Sequence, residues 1–326
     1  MFEPLRWIEL ATKNKKIREH IITKPPVFIL GYYRSGTTYM QQLFMQDERL
    51  GYTSAFQMIF PEIMLCGEKW LTPLFESVAR LFKQHNPIHR IPFTWHSPGE
   101  EDVGLTAFLS PLAAQWGYFF PQRMIEYFEK YVLFDNISAA GFEEWRQGYI
   151  LLLKKISLAN KGKQLLLKNP PNTARIKILL SLFPGAKFIF IHRNPYEVYS
   201  SKRRMWKVVH ENYALGSNKS VDDTGINLNT YSKMMNCYLQ DKNLIPPDNL
   251  VEIAYKDLYQ APVETMQHIY QSLQLGDFSY CEKKMTAFAD SQKKYVTLNH
   301  QLTADEMKLI SGKWEPFIRH WNYPLL

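Results

Sequence analysis

Five consecutive residues near the start of the chain combine side chains that commonly bind phosphate groups in proteins. They follow the apolar run Val27–Leu30, and they are Arg34, Ser35, Gly36, Thr37 and Thr38. The arginine supplies a fixed positive charge, three hydroxyl groups donate hydrogen bonds, and the glycine lets the backbone approach a ligand closely. A strand that ends in such a loop and continues into a helix also points backbone N–H groups at an anion. We therefore predict a phosphate-binding loop, against the alternative of a plain turn with a helix cap.

The loop lacks the parts that a nucleoside-triphosphate site requires. The motif GxxxxGK[ST] places a lysine on the β- and γ-phosphates, and this chain has Thr37 at the position of that lysine. The later segment KFIFIH ends in His192 and Arg193, without an aspartate for a metal ion. Because a sulfuryl group carries less charge than a phosphoryl group, its transfer needs less neutralisation by a metal. The pattern therefore favours a phosphosulfate and no bound metal.

A second pair of residues has the side chains for another phosphate group. Arg193 follows an apolar segment, and Ser201 lies about two helical turns further along the chain. The arginine would form a forked, charge-assisted contact with a phosphate, and the serine would add a hydroxyl contact. The alternative is that Arg193 pairs with a helix carboxylate such as Glu197.

Four short apolar segments must position these residues. They are Val27–Leu30, Gln164–Lys168, Lys187–His192 and residues 250–255, and each is followed by a turn and a helical pattern. This alternation indicates an α/β fold with a P-loop-like, mostly parallel sheet flanked by helices. Ligands of such sheets bind beyond the carboxyl ends of the strands, where the candidate residues lie.

The region between the first two segments is rich in aromatic and methionine residues. Residues 52–160 include the stretches FQMIFPEIML and WGYFFPQRM. We predict a mainly helical lobe over the carboxyl edge of the sheet, within a single domain of residues 1–326. Most of these side chains are expected in the core, and some are expected to line a ligand cavity.

The composition indicates a folded, cytoplasmic protein with an anionic partner. The chain is 46% hydrophobic with a formal net charge of +8, which suits a small anionic ligand, nucleic acid or a membrane surface. Its three cysteines form no CxxC pair, so neither a disulfide framework nor a structural zinc site is expected. We predict neither a secretory signal nor a transmembrane segment. Residues 2–22 predict an amphipathic helix packed on the domain, with weak membrane-surface contact as the alternative.

Four blocks of the sequence, taken in order, resemble the sulfotransferase superfamily. The block YYRSGTTYMQQL resembles the family's 5′-phosphosulfate loop, and RNPYEVYSS resembles its 3′-phosphate-binding segment. The block LLLKNPPNTARIKILLSLFPGAKFIFIHRNP is similar to protein-tyrosine, carbohydrate and many bacterial members, and VEIAYKDLYQAPVETMQHIYQSL resembles a later strand and helix. The resemblance covers residues 27–46, 164–205 and 250–275. One departure is Lys256, where relatives often have glutamate.

This resemblance implies 3′-phosphoadenosine-5′-phosphosulfate (PAPS) as the donor, with the loop on its phosphosulfate and Arg193 and Ser201 on its 3′-phosphate. Lys168 occupies the position of a family lysine near the bridging oxygen, where it would stabilise charge on the leaving phosphate. A solvated lysine at a strand end is the alternative. Lys293 and Lys294 are further candidates, which would close over the nucleotide.

The resemblance and the chemistry together place the catalytic base between His96 and Asp102. Bacterial members have an acidic cluster here, and adjacent carboxylates raise each other's pKa, which suits a base. We rank Glu100 first, Glu101 second and His96 third, the last because cytosolic members use a histidine. The alternative is that the acidic run caps a helix.

The acceptor is predicted from the apolar lobe alone. We expect a hydrophobic alcohol such as a sterol or lipid, with a glycan or a peptide tyrosine as alternatives. Two hypotheses from other classes are a P-loop small-molecule kinase and a non-enzymatic nucleotide or nucleic-acid binder. The spread of basic residues along the chain argues against nucleic acid.

Overall fold

A computed structural model of the chain describes residues 2–82, 94–108, 112–215, 221–293 and 302–326. Its centre is a five-stranded sheet with the order β2-β3-β1-β4-β5, in which every pair is parallel. The strands are β1 (Val27–Leu30), β2 (Leu50–Gly51), β3 (Gln164–Lys168), β4 (Lys187–His192) and β5 (Leu250–Ala254). The predicted α/β class is confirmed. The edge strand β2 was not predicted, because two residues are too few to form a pattern.

Helices connect the strands and cover both faces of the sheet. Those of the described residues are α1 (Glu3–Glu19), α2 (Thr37–Phe44), α3 (Ala55–Ile59), α4 (Met64–Phe82), α5 (Glu101–Phe108), α6 (Trp116–Phe119), α7 (Met124–Phe128), α8 (Ala139–Ala159), α9 (Ile176–Leu182), α10 (Pro195–Tyr213), α11 (Asp223–Asp241), α12 (Tyr255–Gln260), α13 (Pro262–Ser272), α14 (Ser279–Gln292) and α15 (Ala304–His320). A π-helical turn, Glu129–Leu133, and several 3₁₀ turns complete the described segments.

The central strand β1 shows why the sheet is covered on both sides. Successive side chains of a strand point to opposite faces, and all four residues of β1 are buried. Val27 and Ile29 pack into a core that includes residues of α2, α13 and α14. Phe28 and Leu30 pack into a second, larger core that includes residues of α8 to α11 and α15. The two cores fix the carboxyl ends of β1, β3 and β4, from which the candidate site is built.

Helix α1 packs on the domain through a buried carboxylate. Glu9 pairs with Lys155 of α8 at 2.6 Å, and both side chains are buried. Glu9 also accepts hydrogen bonds from the backbone N–H groups of Leu65 and Cys66, at 2.8 and 3.0 Å, in the first turn of α4. A buried carboxylate needs such partners, so Glu9 anchors the helix. Among the described helices, none combines the length and apolar character needed to cross a membrane.

The region predicted as a lobe is helical in its described part, which contains α3 to α8. Its segment before α5 is tied to the start of α3 by an antiparallel bridge between Ser54 and Pro98. Helix α5 packs between α3 and α8, and this arrangement sets the position of the acidic residues at its start. The role of the lobe in acceptor binding stays a prediction.

Candidate active site

The loop that was predicted to bind phosphate forms a sharp turn between β1 and α2, and one position of this turn requires glycine. Gly36 has a φ of 98° and precedes the first residue of α2. A β-carbon at this position would lie 2.3 Å from a ring carbon of Tyr255, far inside van der Waals contact. The backbone therefore turns tightly against Tyr255, and the N–H groups at the start of α2 point along the helix axis to the carboxyl edge of the sheet.

A threonine that the sequence analysis did not single out joins this loop to the turn after β3. The backbone N–H of Gly31 donates to Oγ1 of Thr173 at 2.8 Å, and the same hydroxyl lies 3.2 Å from the carbonyl oxygen of Gly31. Thr173 is buried in the 3₁₀ turn Pro170–Ala174, which follows Lys168. The contact holds the carboxyl ends of β1 and β3 in fixed relative positions.

The structure brings together three of the predicted donor-binding residues. Nε of Arg34 donates to the hydroxyl of Ser201 at 2.9 Å, and a terminal nitrogen of Arg193 donates to the carbonyl oxygen of Arg34 at 3.1 Å. Arg193 also pairs with Glu197 at 2.7 Å, so this alternative contact is present as well. The Arg193 guanidinium lies 4.5 Å above the ring of Tyr255, which fixes its plane. Two arginines beside a helix start form a strongly anion-binding surface.

Lys168 contacts the first-ranked base candidate. Its ammonium group donates to the carboxylate of Glu100, which lies just before α5. The Lys168 side chain is only 4% exposed, whereas Glu100 keeps a 26% exposed side chain. Lys168 is the last residue of β3 and pairs in register with Ile29 of β1, next to the phosphate-binding loop. The pair therefore lies between the loop and the lobe.

Asp102 has a structural role that the sequence did not predict. Its carboxylate accepts two hydrogen bonds from Arg175, at 2.8 and 3.0 Å, and one from the side-chain amide of Asn169 at 2.8 Å. All three side chains are buried. A bidentate pair of this kind fixes orientation as well as distance, so it holds the start of α5 against the turn after β3. Glu100 is positioned by this contact.

Glu101 points into the core, away from the exposed end of the site. Its side chain is fully buried, and neither carboxylate oxygen has a hydrogen-bond partner among the described residues. Burial raises the pKa of this carboxyl from its ordinary value to about 8. The position does not suit a base that must reach an acceptor hydroxyl. The prediction that ranked Glu101 second therefore has no geometric support.

The buried carboxyl predicts a pH dependence of stability that Glu101→Gln should remove. Between about pH 4.5 and 8 the unfolded chain releases the Glu101 proton while the folded chain keeps it, so the wild type loses stability as pH rises. A glutamine has no proton to release. We expect the variant's melting temperature relative to wild type to rise by about 5 °C from pH 5 to pH 8. Glu282→Gln, on the exposed side of α14, is the control, and a pH-independent difference for Glu101→Gln would contradict the assignment.

His96 and Lys293, two further residues of the predicted site, lie on the protein surface with carboxylate partners. His96 is 64% exposed, and its Nε2 lies 3.7 Å from the carboxylate of Glu76 on α4. Lys293 is 75% exposed and pairs with Asp290 at the end of α14, at 2.7 Å. Lys294 lies outside the described residues. The structure thus gives His96 a carboxylate partner on the lobe surface and Lys293 a partner on its own helix.

An apolar cavity of about 20 Å³ adjoins the loop on the side of the lobe. It is lined by Tyr33, Ala114, Gln115, Tyr118, Met124, Phe128 and Val132. Behind two of these rings lies Lys202 of α10, a buried lysine that the sequence analysis did not consider. Within the described part of the chain, no group of His, Cys, Asp or Glu side chains is placed to hold a metal ion.

Comparisons with known proteins bear on the family and the fold of the chain. Residues 25–279 match the model of a family described as "Sulfotransferase family". Omega-hydroxy-beta-dihydromenaquinone-9 sulfotransferase Stf3 of Mycobacterium bovis and of Mycobacterium tuberculosis is 28% identical over 317 residues, which cover 95% of this chain and 78% of the relative. The crystal structure of sulfotransferase STF9 from Mycobacterium avium has a TM-score of 0.79 at 15% identity, covering 98% of this chain and 82% of that one. STF1 from Mycobacterium tuberculosis has a TM-score of 0.66 at 16% identity, covering 96% and 81%.

Proposed function

Since this chain belongs to the sulfotransferase family, we propose that it transfers the sulfuryl group of PAPS to the hydroxyl of a lipid-like alcohol, with Glu100 as the base. The observation that carries the proposal is the meeting of Arg34, Arg193 and Ser201 at the carboxyl edge of the sheet. This is the edge at which open parallel sheets bind their ligands. The family match also decides against the kinase and nucleic-acid-binding hypotheses.

The donor-binding roles follow from the chemistry of the groups that meet here. The N–H groups at the start of α2, with the hydroxyls of Ser35, Thr37 and Thr38, suit the phosphosulfate. Arg34 suits the same group because it lies three residues before the start of α2. Arg193, directly after β4, and Ser201, within α10, suit the 3′-phosphate that distinguishes PAPS from adenosine 5′-phosphosulfate.

The transfer step requires one base and one group that stabilises the leaving phosphate. In the proposed step Glu100 removes the acceptor proton while the acceptor oxygen forms a bond to sulfur. The bond between sulfur and the bridging oxygen breaks, and adenosine 3′,5′-bisphosphate leaves with the electron pair. Lys168, which touches Glu100 and ends the strand beside the loop, would donate a hydrogen bond to that oxygen.

The name of a relative supports a hydrophobic acceptor, because Stf3 is named for a dihydromenaquinone, a lipid-soluble quinone. The side chains beside the loop are mainly aromatic and aliphatic as well, and their cavity of about 20 Å³, the size of one water molecule, must widen to admit such an acceptor. A glycan or a peptide tyrosine remains the alternative acceptor class. Screening labelled PAPS against lipid alcohols, sugars and tyrosine peptides distinguishes these, and turnover of the polar acceptors alone would contradict the lipid hypothesis.

Exposed aromatic and aliphatic side chains support the predicted weak contact with a membrane surface. Helices α1 and α4, which pack together, expose Trp7, Ile8, Trp70 and Leu74, and basic residues follow on α1. Tryptophan and lysine side chains are typical of proteins that rest at a lipid headgroup layer. An acceptor dissolved in a membrane would be reached from such a surface.

A thermal-shift comparison tests the donor class. We expect adenosine 3′,5′-bisphosphate to raise the melting temperature clearly, because a ligand at about a hundred times its dissociation constant adds about 2.7 kcal/mol of stability. ADP and magnesium-ATP lack the 3′-phosphate, so they should produce a much smaller shift. A shift with magnesium-ATP and none with the 3′,5′-bisphosphate would contradict the proposed donor.

A further inference from the structure

Lys202 is a buried amine held by aromatic rings. Its side chain is 1% exposed, and its nitrogen lies 3.9 Å from the ring centre of Tyr33 and 4.6 Å from that of Trp206. Its hydrogen-bond contact is with the sulfur of Met205 at 4.0 Å, a weak acceptor. Ring faces attract a cation, but they replace only part of the hydration that a buried ammonium group loses.

The two carboxylates that act electrostatically on Lys202 also have other neighbours. Glu100 pairs with Lys168, and Asp223 at the start of α11 lies 3.5 Å from Nε2 of His210, a contact that is ionic only when the imidazole is protonated. Burial, with the positive charge of Arg34, therefore lowers the pKa of Lys202 to about 7, although Glu100 and Asp223 act in the opposite direction. The titratable or charged groups that face Lys202 from the surrounding segments are Tyr32, Tyr33, Arg34, Glu100, Tyr118 and Asp223.

Lys202 lies near residues that are proposed to act on the donor and near residues that are proposed to act on the acceptor. Tyr33 directly precedes the phosphate-binding loop and Tyr118 belongs to the lobe, and both rings lie within 6 Å of the Lys202 nitrogen, at 3.9 and 5.7 Å. The same nitrogen is within electrostatic range of Arg34 on the donor side and of Glu100 on the acceptor side. A phosphosulfate in the loop would thus bring negative charge near an amine that forms no salt bridge with any residue in the described part of the chain.

We propose that Lys202 is a charge-balancing residue, which is only partly charged in the free enzyme near neutral pH and takes up a proton when the phosphosulfate of the donor enters the loop. The inference rests on the proposed function. The proton comes from the solvent, and no covalent bond changes other than the new N–H bond. In the low-dielectric interior the added ammonium charge offsets the incoming anion, whereas Arg34 alone would leave it incompletely neutralised. Lys202 thereby positions the sulfuryl group through charge.

Calorimetry of PAPS binding in two buffers with different ionisation enthalpies measures this proton directly. At pH 8 we expect the wild type to take up close to one proton per PAPS, because most of the amine starts uncharged. At pH 6 the amine starts charged and should take up almost none, so a proton exchanged there comes from the 3′-phosphate, whose second pKa is about 6, and is the same in every variant. The association constant should fall by up to about tenfold per pH unit above pH 7, since binding then consumes a proton. The 3′-phosphate is fully ionised at pH 8 and contributes equally in every variant.

Three variants make the assignment specific. In Lys202→Met the thioether can pack among the aromatic rings that surround Lys202. This variant should bind PAPS without proton uptake and with little dependence of the affinity on pH. Lys202→Arg, permanently charged, should also show no uptake. Lys207→Met, on the exposed side of the same helix, should behave as the wild type. Proton uptake that persists in Lys202→Met, or is absent from the wild type at pH 8, would overturn the inference.

The calorimetric measurement on the wild type needs no variant to fold, so absence of proton uptake at pH 8 overturns the proposal whatever the variants do. It also separates this inference from the proposed function. PAPS binding without a Lys202-dependent proton would leave the donor assignment intact and overturn the charge-balancing role. A failure of the wild type to bind PAPS at any pH would overturn the donor assignment first, and the role of Lys202 with it.

Discussion

Replacing Glu100 with glutamine should lower kcat by about 10²–10⁴-fold, because a general base of this kind typically contributes that factor. Glutamine keeps the size and the hydrogen-bonding oxygen of the side chain but cannot accept the acceptor proton. Glu100 is the acidic residue of the segment that touches Lys168 and keeps part of its surface exposed. The measurement is single-turnover transfer from labelled PAPS to the best lipid alcohol of the acceptor screen.

Two controls make this result diagnostic. Binding of adenosine 3′,5′-bisphosphate should change little in Glu100→Gln, since the carboxylate lies on the acceptor side of Lys168. Glu101→Gln changes the neighbouring residue in the same way, and it should retain most of the wild-type kcat because that side chain is buried in the core. Loss of activity in Glu101→Gln, with normal activity in Glu100→Gln, would show that the wrong carboxylate has been assigned.

Replacing Arg193 with alanine should weaken binding of adenosine 3′,5′-bisphosphate by about 100-fold. The physical reason is the loss of a charge-assisted, forked contact with the 3′-phosphate, which is among the strongest polar interactions in proteins. Arg193→Lys keeps the charge but loses the fork and the flat stacking on Tyr255, so an intermediate loss of about tenfold is expected. Isothermal titration measures both affinities.

The specificity of the Arg193 effect is tested with a ligand that lacks the 3′-phosphate. Adenosine 5′-phosphosulfate should bind wild type and Arg193→Ala with similar affinity, because the lost contact is not made. Arg203 is an exposed arginine of α10 that pairs with Glu306 of α15. Arg203→Ala should leave both affinities unchanged. An equal loss for both ligands in Arg193→Ala would indicate damage to the loop through the Arg34 contact instead.

The meeting of the predicted donor-binding residues could largely be expected from the sequence because the elements that carry them are local. The apolar strand β1, the glycine turn and the start of α2 are consecutive, so their chemistry appears as one pattern. The same holds for β4, Arg193 and Ser201, where helical periodicity relates the two residues. Parallel sheets collect the carboxyl ends of their strands at one edge, which is why two separate patterns could be expected at one site.

The acceptor half was less predictable because its contacts cross long distances in the chain. The three acidic residues from Glu100 to Asp102 are neighbours in sequence, yet successive positions at a helix start point in directions about 100° apart. Helix α5 packs between α3 and α8. In this position Glu100 pairs with Lys168, Glu101 is buried in the core, and Asp102 pairs with Arg175. No composition or spacing distinguishes these outcomes.

The sequence by itself determined the fold class and the family and predicted the phosphate-binding loop, because each depends on local order along the chain. Tertiary structure decided which acidic residue contacts Lys168 and which lysine is enclosed by aromatic rings. Lys202 directly follows Ser201, but the turn of the helix places it on the buried side of α10, close to the rings of Tyr33 and Tyr118. Its charge state depends on the burial and neighbours that only the packed chain creates.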